Sequence, residues 1–452
     1  MSTHSNGGST WSTKLSRIRE LAEKDKTTVF NNLGHIIDVA FLVNTFQMLD
    51  GNKALGMDRI SKDDYGYELS SNVTELLIRI RRGTYKPRPS RIVKIPKADG
   101  GERPLAIACI EDKLVQLAVA RILEPIFEPL FVFESFGYRP GKRAHDAIRF
   151  LGQCMMKTRR GAVVEIDLRK SFNTIPHEPL MEFLKTRISD PRLLQLIRTL
   201  LRSSTVEDGK ETENTLGVPQ GSILSPILSN IFLHFVLDSW FKEVVCKHIR
   251  GSADIVRFAD DAKFIFERYA EAERFLAVLV KRLDKYGLKL HGEKTKILRT
   301  GSRSMENLRL KGERLPTFAF LGFLFYWRPS RKGYIVVKVK THKDRFRVKL
   351  KEIKTYLRRS LNHPNHRQVI GQVSLIVRGW LTYFSVSDNQ GSCWKFVKEV
   401  KRLLYRWFNR RGSKGSMNWT KLQRILMACN FPTKWKTIRL YDLTSTRATG
   451  SM

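Results

Sequence analysis

The stretch IVRFADDAKFIF, Ile255 to Phe266, decides the fold. Apart from Arg257 and Lys263 it is apolar and rich in residues that favour strands, yet Asp260 and Asp261 interrupt it. Carboxylates in such company are costly unless something neutralises them. Ile255–Phe258 and Lys263–Phe266 have the composition of short strands, so Ala259 to Ala262 is the predicted turn of a hairpin with both acids at its tip. Alone, the pair is more simply a solvated turn. Only a third acid elsewhere turns it into chemistry.

Asp167 is that third acid. It ends the apolar run AVVEI and opens DLRKSFNTIPHEPL. If its strand lies beside the hairpin in one antiparallel sheet, three carboxylates converge at one rim. Without a counter-ion they would repel one another and take up protons. A pair of Mg2+ ions, with Mn2+ as a substitute, resolves the conflict, because magnesium prefers hard oxygen ligands and two such ions serve in-line phosphoryl transfer.

The charge points the same way. The 452 residues carry 81 Lys and Arg against 44 Asp and Glu, a net +37, which implies a polyanionic partner, nucleic acid before any membrane surface. Residues 331–452 hold 28 basic and 5 acidic residues, net +23, leaving 53 minus 39, or +14, for the first 330. A separate C-terminal module that grips phosphates is expected. The 5 scattered cysteines suggest neither a disulfide framework nor a zinc pair. No apolar run is long enough for a membrane span and MSTHSNGGST lacks a secretory core, so a cytoplasmic protein is expected.

Along the chain, helical spacing marks Trp11 to Ala22, Leu33 to Leu49 and Asp112 to Phe127, and Asp190-Pro191 caps a further helix. Lys86 to Arg103 reads as strand, Asp-Gly-Gly turn, strand. Phe346 to Leu361, Val369 to Phe384 and Val397 to Trp407 read as three amphipathic helices with basic outer faces, followed by the loop Arg411-Gly412-Ser413-Lys414-Gly415 and a short tail.

Together, FADD in a hairpin, DLRKSF, GVPQGSILSPILSNIFL (Gly217 to Leu233) and FLGF (Phe320 to Phe323) resemble a reverse transcriptase. NKALGMDRI (Asn52 to Ile60), IPKADGGERPLAI (Ile95 to Ile107), SFGYRPGKRAHDAI (Ser135 to Ile148) and RGWLTYF (Arg378 to Phe384) narrow the resemblance to bacterial group II intron-encoded reverse transcriptase/maturases, in a short form without the appended endonuclease domain. The resemblance implies an α+β right-hand polymerase fold: fingers and palm with an antiparallel sheet, then a helical thumb. Its expected divisions are an N-terminal extension at 1–60, fingers and palm at 61–329, thumb or maturase domain at 330–412, and a basic tail at 413–452.

The family's site residues map onto particular positions here. Asp167, Asp260, Asp261 and the backbone of Leu168 match metal ligands. Phe172, 5 residues past Asp167, matches the aromatic that excludes a 2′-hydroxyl. Lys97 and Arg103 match holders of the incoming triphosphate, Gln220 the nucleotide cradle, and Lys294 in HGEKTKIL the lysine near the leaving pyrophosphate. Arg91, Pro219, Gly221, Leu321 and Gly322 match template and primer contacts. Lys343, Arg345, Lys349, Arg358 and Arg359 match the RNA-binding thumb face, whereas Trp380 belongs to a core. Implied partners are a structured intron RNA, an RNA template with a DNA primer, dNTPs and target DNA, with no membrane; a homodimer is compatible. Two departures stand out: Asn173 follows the aromatic where the family commonly has aspartate, and Phe258 replaces the usual tyrosine. The implied function is RNA-directed DNA synthesis with maturase activity in splicing and retrohoming. The competing readings are a host-recruited relative in DNA repair or phage defence, and a non-catalytic RNA-binding maturase; retention of all three acids disfavours the latter.

Overall fold

The structure, a computed structural model, describes residues 10–96, 101–169, 171–410 and 417–440. Lys97, the Asp99-Gly100 part of one predicted turn, the loop from Arg411 and the end of the tail lie outside the described residues. The chain forms two compact units, Met1–Arg143 with Ala162–Leu298, and Ala144–Gly161 with Arg299–Met452.

The first unit is built around the helix Ile110–Phe127, whose Leu114, Val115, Val119, Ile122, Leu123 and Ile126 are inaccessible to solvent. A helix apolar on nearly every side must be surrounded, and this one is. Its acidic first turn is tied down. Glu111 accepts two bonds from Arg79, at 2.9 and 2.8 Å, and Asp112 accepts from Tyr85 Oη at 2.5 Å and Arg88 N at 3.1 Å. Burial pushes the Asp112 carboxyl up to about 6, against the pull of those two bonds. The predicted cap is present: Asp190 accepts from the backbone of Arg192 and Leu193 at the start of Pro191–Leu201. The helix expected over Leu33 to Leu49 is broken. A 3-10 turn occupies Gly34–Ile36 and the helix proper is Val39–Gln47, because Asp38 leaves the helical conformation and caps Phe41 N at 2.7 Å.

Two sheets lie in this unit. In the first, β1 (Ser90–Pro96) pairs antiparallel with β2 (Glu102–Ile107). The second contains β3 (Gly161–Ile166). The hairpin β4 (Thr205–Glu207) and β5 (Lys210–Thr212) extends the first sheet to the order β2-β1-β4-β5. The hairpin β6 (Ala253–Phe258) and β7 (Asp261–Phe266), with β8 (Lys296–Thr300), completes the second in the order β6-β7-β3-β8.

In the second unit β9 (Phe318–Phe320), β10 (Phe323–Pro329) and β11 (Ile335–Thr341) form an antiparallel sheet. The three predicted helices are Lys343–Arg359, His366–Phe384 and Gln390–Asn409. Their buried sides meet as the spacing predicts: Ile353, Leu357, Val373, Val400 and Leu404 are core, and Trp380 stacks on Phe396 at 3.9 Å. Among the described residues no helix is long and apolar enough to cross a membrane.

One buried group carries a pH signature. His234 is 6% exposed between Phe131 and Phe235, and burial pulls its pKa down to about 4. The unfolded chain therefore binds a proton on His234 that the folded unit refuses between about pH 6.5 and 4, and stability falls as pH drops through that window. We expect His234→Phe to flatten the acid side of the stability profile by up to about 1.4 kcal/mol per pH unit, as read by denaturant unfolding at pH 7, 5.5 and 4.5.

Candidate active site

β3 pairs antiparallel with β7 from Ala162↔Phe266 to Ile166↔Ala262. Opposed residues share a face. One face thus carries Ala162, Val164, Ile166, Ala262, Phe264 and Phe266, all in the hydrophobic core, and the other carries Glu165, Lys263 and Asp261. Extending the register by one pair sets Asp167 across from Asp261. On the far side of β7 the hairpin closes at Phe258↔Asp261, which leaves Ala259 and Asp260 as the turn. The connection is tighter than the sequence suggested, and Asp261 is the first strand residue. Ala259 makes this possible by adopting φ +58°, a left-handed conformation that costs an L-residue about 1–2 kcal/mol.

Each flank of the acidic edge has its own cation. Lys263, 3% exposed, sets its ammonium 2.6 Å from Asp261 Oδ1 and 3.1 Å from Glu165 Oε1. Burial pulls the Lys263 pKa down, but the charges and hydrogen bonds of Asp261 and Glu165 outweigh it and hold it above the ordinary value. Asp261 keeps 37% of its side chain open, yet desolvation is the largest influence on its carboxyl. Desolvation, Glu165 and Asp260 raise its pKa against the opposing charge of Lys263. Asp167 Oδ2 lies 3.0 Å from Lys294 Nζ. The segment carrying that lysine is stitched to the end of β3: His291 N donates to Asp167 O at 2.8 Å, Arg169 N to Lys289 O at 2.9 Å, and Leu168 bridges Leu290. Among the described residues no group of three His, Cys, Asp or Glu side chains is drawn together closely enough to hold a metal ion unaided. Asp261 and Asp167 each turn toward a lysine.

The segment 217–220 is fixed by main-chain contacts to residues 172–175 and to β2. Val218 N donates to Phe172 O at 2.7 Å and Gly217 N to Ile175 O at 2.9 Å, leaving the Phe172 ring half-buried. A Cβ on Gly217 (φ +84°) would lie 2.5 Å from the Asn173 carbonyl carbon, so only glycine fits beside the departure at Asn173. Ala106 N donates to Gln220 O at 2.6 Å, Ser225 Oγ to Pro219 O at 2.8 Å, and Ile223 N to Gln116 Oε1 at 3.1 Å. Gln220 is thereby fastened to β2. Arg91 and Arg103 are exposed on β1 and β2; Arg91 Nη2 donates to Leu55 O at 3.1 Å and Arg103 pairs with Ile95 in the register. Leu321 (φ +49°) and Gly322 (φ +79°) belong to the second unit and form the two-residue turn between β9 and β10, held by Tyr383 Oη on Leu321 O at 2.8 Å. On the helix Lys343–Arg359, Lys343, Arg345, Arg358 and Arg359 are exposed, while Lys349 is half-buried and paired with Glu352.

Sequence reasoning missed the support beneath the hairpin. Arg257 is 1% exposed, is bound by Asp238 and reaches Ala259 O at 2.9 Å. The available signal was a charged residue within the apolar run Ile255–Phe258, two positions before the turn.

The pattern of the reverse transcriptase (RNA-dependent DNA polymerase) family matches residues 95–325, and that of the group II intron maturase-specific domain matches residues 344–425. The group II intron-encoded protein LtrA of Lactococcus lactis is 31% identical over 289 residues, 63% of this chain and 45% of that protein. Protein YkfC of Escherichia coli is 37% identical over 183 residues, 40% of this chain and 48% of YkfC. An uncharacterized 91 kDa protein in the cob intron of Schizosaccharomyces pombe is 28% identical over 388 residues, 72% of this chain and 47% of that protein. The chain spans about half the length of these relatives.

The loop geometry can be tested without any assay of function. A Cβ on Gly221 (φ +109°) would meet Ala106 O at 2.5 Å, whereas one on Gly209 (φ +79°) would meet nothing within 4 Å. Denaturant unfolding should show Gly221→Ala costing at least about 3 kcal/mol and Gly209→Ala about 1 kcal/mol.

Proposed function

The chain belongs to the reverse transcriptase (RNA-dependent DNA polymerase) family, and on that premise we propose that it is an RNA-directed DNA polymerase of group II intron type that copies RNA into cDNA. The observation that carries this reading is the register of β3 on β7, which brings Asp167 to the same sheet edge and face as Asp261, beside Asp260 in the turn. Members of the family use divalent metal ions. An all-oxygen ligand set suits a hard cation, and two Mg2+, with Mn2+ as a substitute, fit the carboxylates of Asp167, Asp260 and Asp261 and the Leu168 carbonyl. Bound there, such ions would stabilise the attacking and leaving oxygens of an in-line nucleotidyl transfer.

The remaining roles fall to the chain's own groups. Lys263 and Glu165 keep the carboxylate of Asp261 oriented from one side, and Lys294 is near enough to Asp167 to attend the departing pyrophosphate. Arg103 and Lys97 hold the triphosphate of the dNTP. Phe172, backed by the core, excludes a ribose 2′-hydroxyl by bulk. Gln220, with Pro219 and Gly221, cradles the new base pair, Arg91 contacts the template, and Leu321 and Gly322 grip the primer.

The stretch matching the maturase-specific domain carries exposed cations along Lys343–Arg359, and we assign it intron RNA binding that assists splicing and retrohoming into target DNA. The proposed functional divisions are an N-terminal extension at 1–60, fingers and palm at 61–329, a thumb at 330–412 and a short basic tail at 413–452.

Primer extension on an RNA template tests the centre. Asp260→Ala and Asp261→Ala should each cut synthesis at least about 1,000-fold while RNA binding persists, because loss of a metal ligand removes several kcal/mol of transition-state stabilisation. Undiminished extension would leave only a basic RNA binder. A filter-binding salt titration tests the helix: changing Lys343, Arg345, Arg358 and Arg359 together to Gln should reduce the slope of log K against log salt by about 3, at roughly 0.7–0.9 per lost phosphate contact. An unaltered slope would remove this face from the RNA contact.

A further inference from the structure

We propose that Arg257, Asp238 and Asn230 form a buried positioning device that sets the catalytic turn from beneath; the inference rests on the polymerase reading of Asp260 and Asp261. Arg257 occupies the core side of β6, opposite Ala262. Its Nε and Nη2 donate to Asp238 Oδ1 and Oδ2 at 2.8 and 2.6 Å, and its Nη1 donates to Asn230 Oδ1 at 3.0 Å and to the Ala259 carbonyl at 2.9 Å. Asn230 Nδ2 donates in turn to Gly137 O at 2.8 Å. Gly137 presses on the same turn, where a Cβ would lie 2.3 Å from Ala259 N. The main chain repeats the link: Arg257 N donates to Glu134 O at 3.0 Å and Phe136 N to Arg257 O at 2.8 Å. Ala259, strained at φ +58°, is therefore held at its carbonyl by a guanidinium and at its nitrogen side by the Gly137 backbone.

Stability is a poor explanation for this arrangement. Asp238 and Arg257 are 0% and 1% exposed along their side chains, and a buried ion pair gives little net advantage over apolar residues of the same volume. What an apolar filling cannot do is fix a carbonyl direction. The π-helical turn His234–Asp238 points to the same purpose, since it breaks the helical run after Ser225–Leu233 at the place where Asp238 meets the guanidinium. With Ala259 O fixed, the next two residues leave the turn in one direction, and those are Asp260 and Asp261. Arg257, Asp238 and Asn230 act through the turn and touch no substrate.

The test uses the full-length chain carrying Arg257→Lys, which keeps the charge but not the fork, or Asn230→Ala, which leaves the ion pair intact if the first variant fails to fold. Mn2+ binding to the free protein is followed by electron paramagnetic resonance, alongside steady-state primer extension, RNA affinity and the unfolding midpoint. The expected result is Mn2+ affinity weakened by about 5- to 20-fold and kcat lowered by about 10- to 100-fold, since displacements of about 1 Å have effects of that order. The KM for dNTP and the RNA affinity should stay within about twofold, because the turn does not hold either ligand. Adding Ala259→Gly to Asn230→Ala should recover kcat to within about threefold of the parent, as glycine takes φ +58° without strain. Unchanged Mn2+ affinity and kcat in a folded variant overturns the proposal. So does a parallel loss of RNA affinity, dNTP KM and stability that glycine does not relieve. Asp260→Ala is the control: if it remains active the polymerase reading itself fails, whereas an inactive Asp260→Ala beside a fully active Asn230→Ala rejects the positioning device alone.

Discussion

The pairing of β3 with β7 constrains everything else in the first unit. Side chains alternate along each strand, so a one-residue slip of β7 would send Phe264 and Phe266 to the outer face and turn Lys263 into the core. The apolar face, continuous with the core around Ile110–Phe127, penalises that slip heavily, since each fully buried aromatic or aliphatic side chain contributes about 1.5–3 kcal/mol. Core packing thereby fixes where the acids emerge. The site inherits its geometry from the hydrophobic pattern rather than from interactions among its own charges, which oppose it.

Those opposing charges are handled by placing a lysine between two acceptors. Lys263 is almost fully buried, and one carboxylate partner alone would leave it stranded whenever that partner turned to a cation. Glu165 supplies a second acceptor on the same face, one strand over, so the ammonium keeps a partner in either state. Asp167 has a different arrangement: its lysine is exposed and comes from a separate loop, so that pair is screened by solvent and easily exchanged for another charge.

The hairpin and the three C-terminal helices were legible in the sequence because each is set by local periodicity and composition. The turn was misjudged by two residues, since the choice between a four- and a two-residue connection lay in the willingness of Ala259 to go left-handed, and alanine gives no sign of that. Likewise, the apolar spacing from Leu33 to Leu49 hid the interruption, although Asp38 before Val39 was a cap that could have been read. The support of Arg257 was out of reach for another reason. Its partners lie 19 and 27 positions away along a run with a π-helical turn, so no helical spacing pairs them in advance. The candidate carboxylates were recoverable from the family motifs; the groups that orient them depend on tertiary packing that those motifs do not describe.

In the second unit charge is used for the opposite end. The helix Lys343–Arg359 exposes Lys343, Arg345, Arg347, Lys351, Lys354, Arg358 and Arg359, and among the described residues its only lysine or arginine ion pair is Lys349 with Glu352. Like charges along one helix repel and weaken the fold that carries them. The unit withstands this through its interior: Trp380 against Phe396, and Asn389, 1% exposed, whose amide donates to Thr341 Oγ1 at 2.7 Å and Phe384 O at 2.9 Å while its oxygen accepts from Thr341 N at 2.9 Å. Asn389 therefore ties the last strand of the sheet to the second and third helices at a point solvent does not reach. A polyanion bound along the exposed face removes the repulsion that the interior otherwise has to withstand. On the proposed RNA-binding role, the charge that destabilises the free unit would supply its affinity, and binding and folding of this unit would reinforce each other.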